Sequence, residues 1–278
     1  MLTVPQPIQR IFDSVPLKVY SDQQESVLPE KLYSFPNAPS DPLILGVYNT
    51  FEYDKFVLPT DPVSLYTLLI LAKKNDFGLP ESTSNSNCGI TRIPFRGSPS
   101  NSLPILISDG TVRAIESSEQ IEKKIASKNI QSAKVLMIKE FVDTVLFDSW
   151  IACLLAEKIQ PQTFYQLFGI NNKLDVYELK MQIPKWNNFS IRHASLFSHH
   201  YNNQYLQAFY TSQCDEFEKA IESLKQYLQS PDPETTVIKY KVAAYAIIID
   251  HFLKDTQVGQ IMSRYPEVVT TSYAVLSS

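Results

Sequence analysis

Tyr48, Thr50 and Tyr53 are the first residues of this chain whose type and place could support chemistry. They lie at or just past the end of an apolar, strand-like run, Leu43 to Phe51. There a phenol or hydroxyl can stabilise a bound thiolate by donating a hydrogen bond. The loop expected after it, Glu52 to Thr60, is long and has no glycine, so Tyr48 is expected to pack in a sheet and Tyr53 in a loop. His193, His199 and His200 share one segment, but no Asp or Glu lies close enough in sequence to complete a metal site. The expectation is a solvated or partner-facing cluster. Asp143 and Asp148 are five apart on a helical pattern and so do not share a face, which gives no paired acid and base. Asp148, among Phe147, Trp150 and Ile151, is expected to be buried as a cap or an ion pair, with Arg192 or Arg113 as partner. No constellation here makes an enzyme, and no cofactor or metal is expected.

The bulk composition agrees. The 278 residues are 44% apolar and 19% charged, a globular balance with enough chain for a sizeable core. A net charge of −4 and a pI near 5.6 disfavour nucleic acid and an electrostatic grip on anionic lipid. The seven glycines never take a dinucleotide-binding or P-loop spacing. Cys88, Cys153 and Cys214 are odd in number and far apart, as expected of reduced thiols. The first twenty residues lack the apolar core of a signal peptide. The most apolar run, Val242 to Leu253, is broken by Asp250 and His251 and falls short of the roughly 20 residues a membrane span needs. The chain is expected to be soluble or peripheral.

These residues are positioned by two different kinds of pattern. Residues 1–42 are proline-rich and weakly periodic and read as an extended arm, too apolar at Ile8, Ile11, Phe12 and Leu17 for a free tail. Asp61-Pro62 then starts a helix with Leu65, Leu68, Leu69 and Ala72 on one face, ending at Lys73 to Asn75. Gly89 to Phe95 is a further strand candidate. Leu103 to Ile107, Asp109-Gly110 and Thr111 to Ile115 read as strand, tight turn and strand, with Pro104 near the start because proline cannot donate to a ladder. Ser117 can cap the next helix, with Gln120 completing a capping box. Beyond residue 130 strand signals nearly vanish. Ser132 to Lys158 reads as one helix with Val135, Ile138, Phe141, Val142, Val145, Leu146, Trp150 and Leu154 inward. Pro161 can start another that Gly169 stops. Asn171 to Asn188 is polar, and helical patterns return at Phe189 to Tyr201, Tyr205 to Leu228 and Val237 to Leu253.

A strand, turn, strand and capped helix with a proline at the first strand resembles the second half of a thioredoxin-like domain. A small α/β domain followed by helices resembles the glutathione-transferase architecture. The domains are then an extended arm at 1–42, a thioredoxin-like domain at 43–128 and a helical domain of glutathione-transferase C-terminal type at 129–278. By that resemblance Ser118 stands roughly where such enzymes hold the γ-glutamyl group of glutathione, although Glu119 beside it opposes an anionic ligand. A divergent glutathione transferase or glutathione-dependent redox enzyme is the alternative reading.

Several blocks together resemble a more particular family: 4–20 (VPQPIQRIFDSVPLKVY), 45–49 (LGVYN), 60–70 (TDPVSLYTLLI), 103–115 (LPILISDGTVRAI), 141–151 (FVDTVLFDSWI) and the pair Arg192-His193. They are similar to the smaller metaxin-like subunit of the fungal mitochondrial sorting and assembly machinery. The resemblance implies a non-catalytic, peripheral subunit on the cytosolic face of the mitochondrial outer membrane. It implies a β-barrel subunit, a second metaxin-like subunit and β-barrel precursors as partners, with the barrel capped and the precursor β-signal recognised. Among the matched positions Ile8, Arg10, Phe12, Asp13 and Leu17 are the expected partner contacts, since such side chains on a surface arm need something to cover them.

Overall fold

Asp61-Pro62 places a helix between two strands that then pair side by side. In the computed structural model β2 (Leu43–Val47) runs parallel to β5 (Gly89–Arg92), joined through α1 (Pro62–Asn75). The described residues are 32–37, 43–82, 87–97, 102–109, 113–116, 120–121, 132–170, 173–198, 203–230 and 232–277. All of them belong to the unit Lys31–Ser278. Asp61 Oδ1 accepts from the Ser64 amide at 2.8 Å, the cap expected of an Asp before a first-position proline. Leu65, Leu68, Leu69 and Ala72 are buried, as their spacing requires.

On the other side of β2 lies the antiparallel hairpin β6 (Ile105–Asp109) and β7 (Arg113–Glu116), entered through a cis bond at Leu103–Pro104. β1 (Leu32–Ser34) adds antiparallel to the far edge of β5, so the sheet order is β1-β5-β2-β6-β7. That strand lies inside the stretch read as an arm. Gly89 is needed there: a Cβ on it would stand 2.0 Å from the carbonyl oxygen of Tyr33. The stretch 52–60, read as a loop, is instead mostly a hairpin. Thr50–Tyr53 (β3) pairs with Phe56–Pro59 (β4) across a turn in which Asp54 takes φ 54°, a conformation Asp tolerates.

The remainder is helical. α2 (Ala133–Ala156) packs on α7 (Asn203–Leu228), and α8 (Thr236–Phe252) packs on both and on α1. Of the expected inward residues of α2, Val135, Val142, Leu146, Trp150 and Leu154 are buried, whereas Phe141 is 39% exposed. Apart from Lys239, α8 is buried from Val237 to Ile249, which explains its all-round apolar composition as a central core helix. Among the described residues no helix is long and apolar enough to cross a membrane.

Pro161 and Gly169 bound α3 (Pro161–Phe168) as expected, Gly169 closing it at φ 67° with its amide on Tyr165 O. The polar stretch 171–188 is not a loop: α4 (Lys173–Gln182) lies in it, followed by a 3-10 segment, Ile183–Asn188. Its apolar residues Leu174, Tyr177 and Met181 are exposed, and of the described residues in α4 only Leu179 is fully buried, so no inward stripe marks it. Arg96 ties it to the sheet side by pairing with Asp175 at 2.8 Å and with Glu178. The short helices α5 (Phe189–Arg192) and α6 (Ala194–Ser198) precede α7. After α8 come α9 (Gln257–Met262), capped by Thr256 Oγ1 on the Gly259 amide, and α10 (Pro266–Ala274).

Thioredoxin-like strand order and a helical continuation make this a glutathione-transferase-like fold. Its two parts are stitched by carbonyl acceptors at the end of α3. The Asn49 side-chain amide donates to Tyr165 O (3.1 Å) and Gln166 O (2.8 Å), and Thr60 Oγ1 donates to Leu167 O at 2.6 Å. Gln166 O and Leu167 O are among the orphan carbonyls a helix C-terminus leaves, while Tyr165 O also takes the Gly169 amide.

Candidate functional site

Tyr48 and Asn49 follow the end of β2, and beyond the β3–β4 hairpin Asp61 caps α1, which packs on α8. A cavity of about 370 Å³ lies beside them, lined by residues of α1, α2, the 3-10 segment and α8. Tyr48, Asp61 and Leu103 form its α/β side; Asp143, Trp150, Trp186 and Lys241 are among the residues of its helical side.

Tyr48 is buried in its wall, one residue past the end of β2 rather than within the sheet as expected. Its hydroxyl accepts from the Leu103 amide at 3.0 Å. Its ring meets Phe168 edge-on at 5.3 Å and stacks on Trp186 at 5.4 Å. Burial pushes the phenol well above its ordinary pKa, Asp61 adds to the rise, and the Leu103 amide opposes it. A phenol held this way is a packing and positioning group. Tyr48→Phe is expected to destabilise the chain by about 1–3 kcal/mol, because the buried Leu103 amide loses its acceptor. A thermal melt reads that loss; an unchanged melting temperature would show the bond to be worth nothing.

The cysteines give the alternative, thiol-based reading no support. All three are buried and free. Burial pushes the Cys153 thiol up to about 12 and that of Cys214 up to about 11, so neither supplies thiolate near neutral pH.

Asp143 and Asp148 serve separate ion pairs, as their spacing predicts. Asp143 is gripped by Lys139 at 2.8 Å and by Lys241. Both lysines are buried, and Lys241 Nζ also lies 4.7 Å from the centre of the Tyr66 ring. Asp148 is 4% exposed and takes Arg192, the first of its two expected partners, together with His193 Nε2 at 2.7 Å. His193 is thus a structural partner wedged between Phe189 and Phe209. His199, His200, Ser117 and Ser118 lie outside the described residues, as do Ile8, Arg10, Phe12, Asp13 and Leu17. Among the described residues no group of three His, Cys, Asp or Glu side chains could hold a metal.

Asp61 is buried more deeply than its sequence context as a helix cap reveals. The capping oxygen uses one half of the carboxylate, and Oδ2 is left buried without a hydrogen-bond partner among the described residues. Burial lifts the group to about 6, against the pull of Ser64 and the first-turn amides. Trp150 Nε1 is likewise buried and unpartnered there. A lysine in the middle of an apolar helix, Lys241, is the one signal in the sequence that the α8 face meets something polar.

Known proteins give the following comparisons. The family model SAM35, described as a subunit of the SAM complex, matches residues 2–108. The sorting assembly machinery 35 kDa subunit of Saccharomyces cerevisiae is 27% identical over 292 residues, covering 89% of this chain and 88% of that protein. Among solved structures, glutathione S-transferase III in its apo form aligns with 85% of this chain and 92% of its own at 13% identity and a TM-score of 0.44. The family match falls on the arm, β1 to β5, α1 and nearly all of β6, and the relative extends the similarity through most of the helical part. The resemblance carried by the sequence blocks therefore stands: this chain is similar to the SAM35 family over residues 2–108 and to the yeast subunit over most of its length.

Proposed function

We propose that this chain is a non-catalytic, peripheral subunit of the mitochondrial outer-membrane machinery that inserts β-barrel proteins. The observation that carries the reading is the similarity, over nearly nine-tenths of both chains, to a protein named as a subunit of the sorting assembly machinery. The family match over residues 2–108 supports it, because it includes the arm as well as the sheet. A buried, hydrogen-bonded Tyr48 and high-pKa thiols fit a fold kept for its shape.

In this reading the chain caps the barrel subunit on the cytosolic side, pairs with a second metaxin-like subunit and helps recognise the β-signal of precursors. Ile8, Arg10, Phe12, Asp13 and Leu17 contact a partner. The domain scheme of arm (1–42), thioredoxin-like part (43–128) and helical part (129–278) assigns docking to the arm.

The test is affinity purification of the tagged chain from gently detergent-solubilised mitochondria. An outer-membrane β-barrel subunit and a second metaxin-like chain are expected in comparable amounts, and charge-reversing Arg10 and Asp13 together should reduce their recovery several-fold. Recovery of the chain alone, from the soluble fraction, would overturn the proposal and make a glutathione-turnover assay of the alternative reading the next step.

A further inference from the structure

The cavity beside Tyr48 and Asp61 is large enough to hold a ligand. Its volume, about 370 Å³, falls in the range of roughly 300–1,000 Å³ typical of small-molecule sites. Tyr48, Tyr66, Phe147, Trp150, Trp186 and Tyr245 all line it, so its wall is strongly aromatic. Sites of this kind take an apolar body and orient it with a few polar groups. Lys185 and Asn187 are exposed members of the wall and mark its open side.

The charges of the wall decide which polar group an occupant carries. Asp143 is matched twice, by Lys139 on Oδ2 at 2.8 Å and by Lys241 on Oδ1. Asp61 is 1% exposed and caps α1, where the helix N-terminus offsets its charge. Lys185 is different. Its ammonium donates to Gln182 Oε1 at 3.2 Å, a neutral acceptor, and among the described residues it makes no ion pair. A cation without a counter-charge at the rim of an aromatic-lined space selects a negative head on an apolar body. The Leu103 amide, also in the wall, is spent on the Tyr48 hydroxyl at 3.0 Å and is not offered to a peptide backbone. A compact acid therefore fits better than a chain segment.

We infer that this cavity is a binding site for a small aromatic monocarboxylate, its ring lodged among the aromatic side chains of the wall and its carboxylate paired with Lys185 at the mouth. One negative charge suffices, because Lys185 is the cation of the wall that the described residues leave uncompensated. Binding of such an acid does not depend on membership in a complex, so the full chain alone can be titrated.

Naphthalene-2-carboxylate and naphthalene-2-carboxamide share a shape and differ in charge, and calorimetry with the full chain compares them. An ion pair at an exposed lysine contributes modestly, so the acid is expected to bind about fivefold tighter than the amide. Lys185→Gln should remove that advantage and Lys185→Arg should keep it. Lys185 is exposed, so both variants are expected to fold. Lys173→Gln, at an exposed lysine outside the wall, should change neither affinity. Trp150 and Trp186 are the two tryptophans of the chain and both line the cavity, so their indole N–H resonances locate the ligand. At least one of them should shift as the acid is added. Equal binding of acid and amide, or undiminished affinity for the acid in Lys185→Gln, overturns the assignment. So does a titration in which neither indole resonance moves, or failure of the acid to bind at millimolar concentration.

Discussion

Trp186→Ala is expected to lower stability by about 3–5 kcal/mol, the range for truncating a buried tryptophan. Trp186 is 8% exposed and is the ring where the two halves of the molecule meet. It stacks on Tyr48, just past β2, and lies 6.3 Å from Trp150 and 6.1 Å from Phe168 in the helical part. The backbone has already been bent to place it there: Trp186 leaves helical geometry at ψ 138°, and Asn187 and Asn188 take φ of 46° and 56°. Removing the ring therefore opens a void that neither half can close without moving the other. With about 2–4 °C per kcal/mol for a chain near this size, the melting temperature should fall by about 6–20 °C. Near-UV circular dichroism should lose intensity with it, and Trp186→Phe should recover part of the loss. A change below about 1 kcal/mol would mean that the junction repacks around the gap.

The second large effect is a pH dependence centred on Asp61. Its carboxyl is raised from 3.8 to about 6, burial being the main cause. A group whose folded pKa lies above its unfolded value stabilises the fold when protonated. That contribution is fully present below pH 3.8 and disappears as pH rises through about 6. A rise of that size corresponds to about 3 kcal/mol. The comparison that isolates it is wild type against Asp61→Asn, which keeps the cap and has no charge at any pH. Relative to that variant, wild type should lose up to about 3 kcal/mol between roughly pH 4 and pH 7, followed by denaturant unfolding at each pH. A difference between the two chains that stays flat across that window would show that the carboxylate is solvated or partnered in solution.

Local signals in the sequence determined much of this architecture. The Asp61-Pro62 start, the Gly169 stop, the apolar spacing of α1 and the helical character beyond residue 130 are each decided within a few residues. Capping geometry and side-chain periodicity are short-range effects and can be seen without the fold. The pairing of Asp148 with Arg192 was legible too, because a carboxylate among Phe147, Trp150 and Ile151 must find a cation. The proline at the head of β6 and the matched blocks were enough to name the fold and the family resemblance.

Other features were settled only when distant segments met. The β3–β4 hairpin carries no glycine at its turn, and Asp54 supplies the left-handed residue instead. α4 shows no inward stripe, since its exposed face is apolar and its anchor is an ion pair to Arg96, roughly eighty residues away. Phe141 keeps a helical rhythm yet faces outward, because periodicity gives a face but not which neighbour covers it. The cavity depends on tertiary structure most of all. Asp61 is a helix cap, Trp150 a core residue and Lys241 an oddity in an apolar run when each is read in its own segment. Only the packing of α1, α2 and α8 brings Tyr48, Asp61, Trp150, Trp186 and Lys241 to one cavity, and burial there raises the Asp61 carboxyl and the Tyr48 phenol.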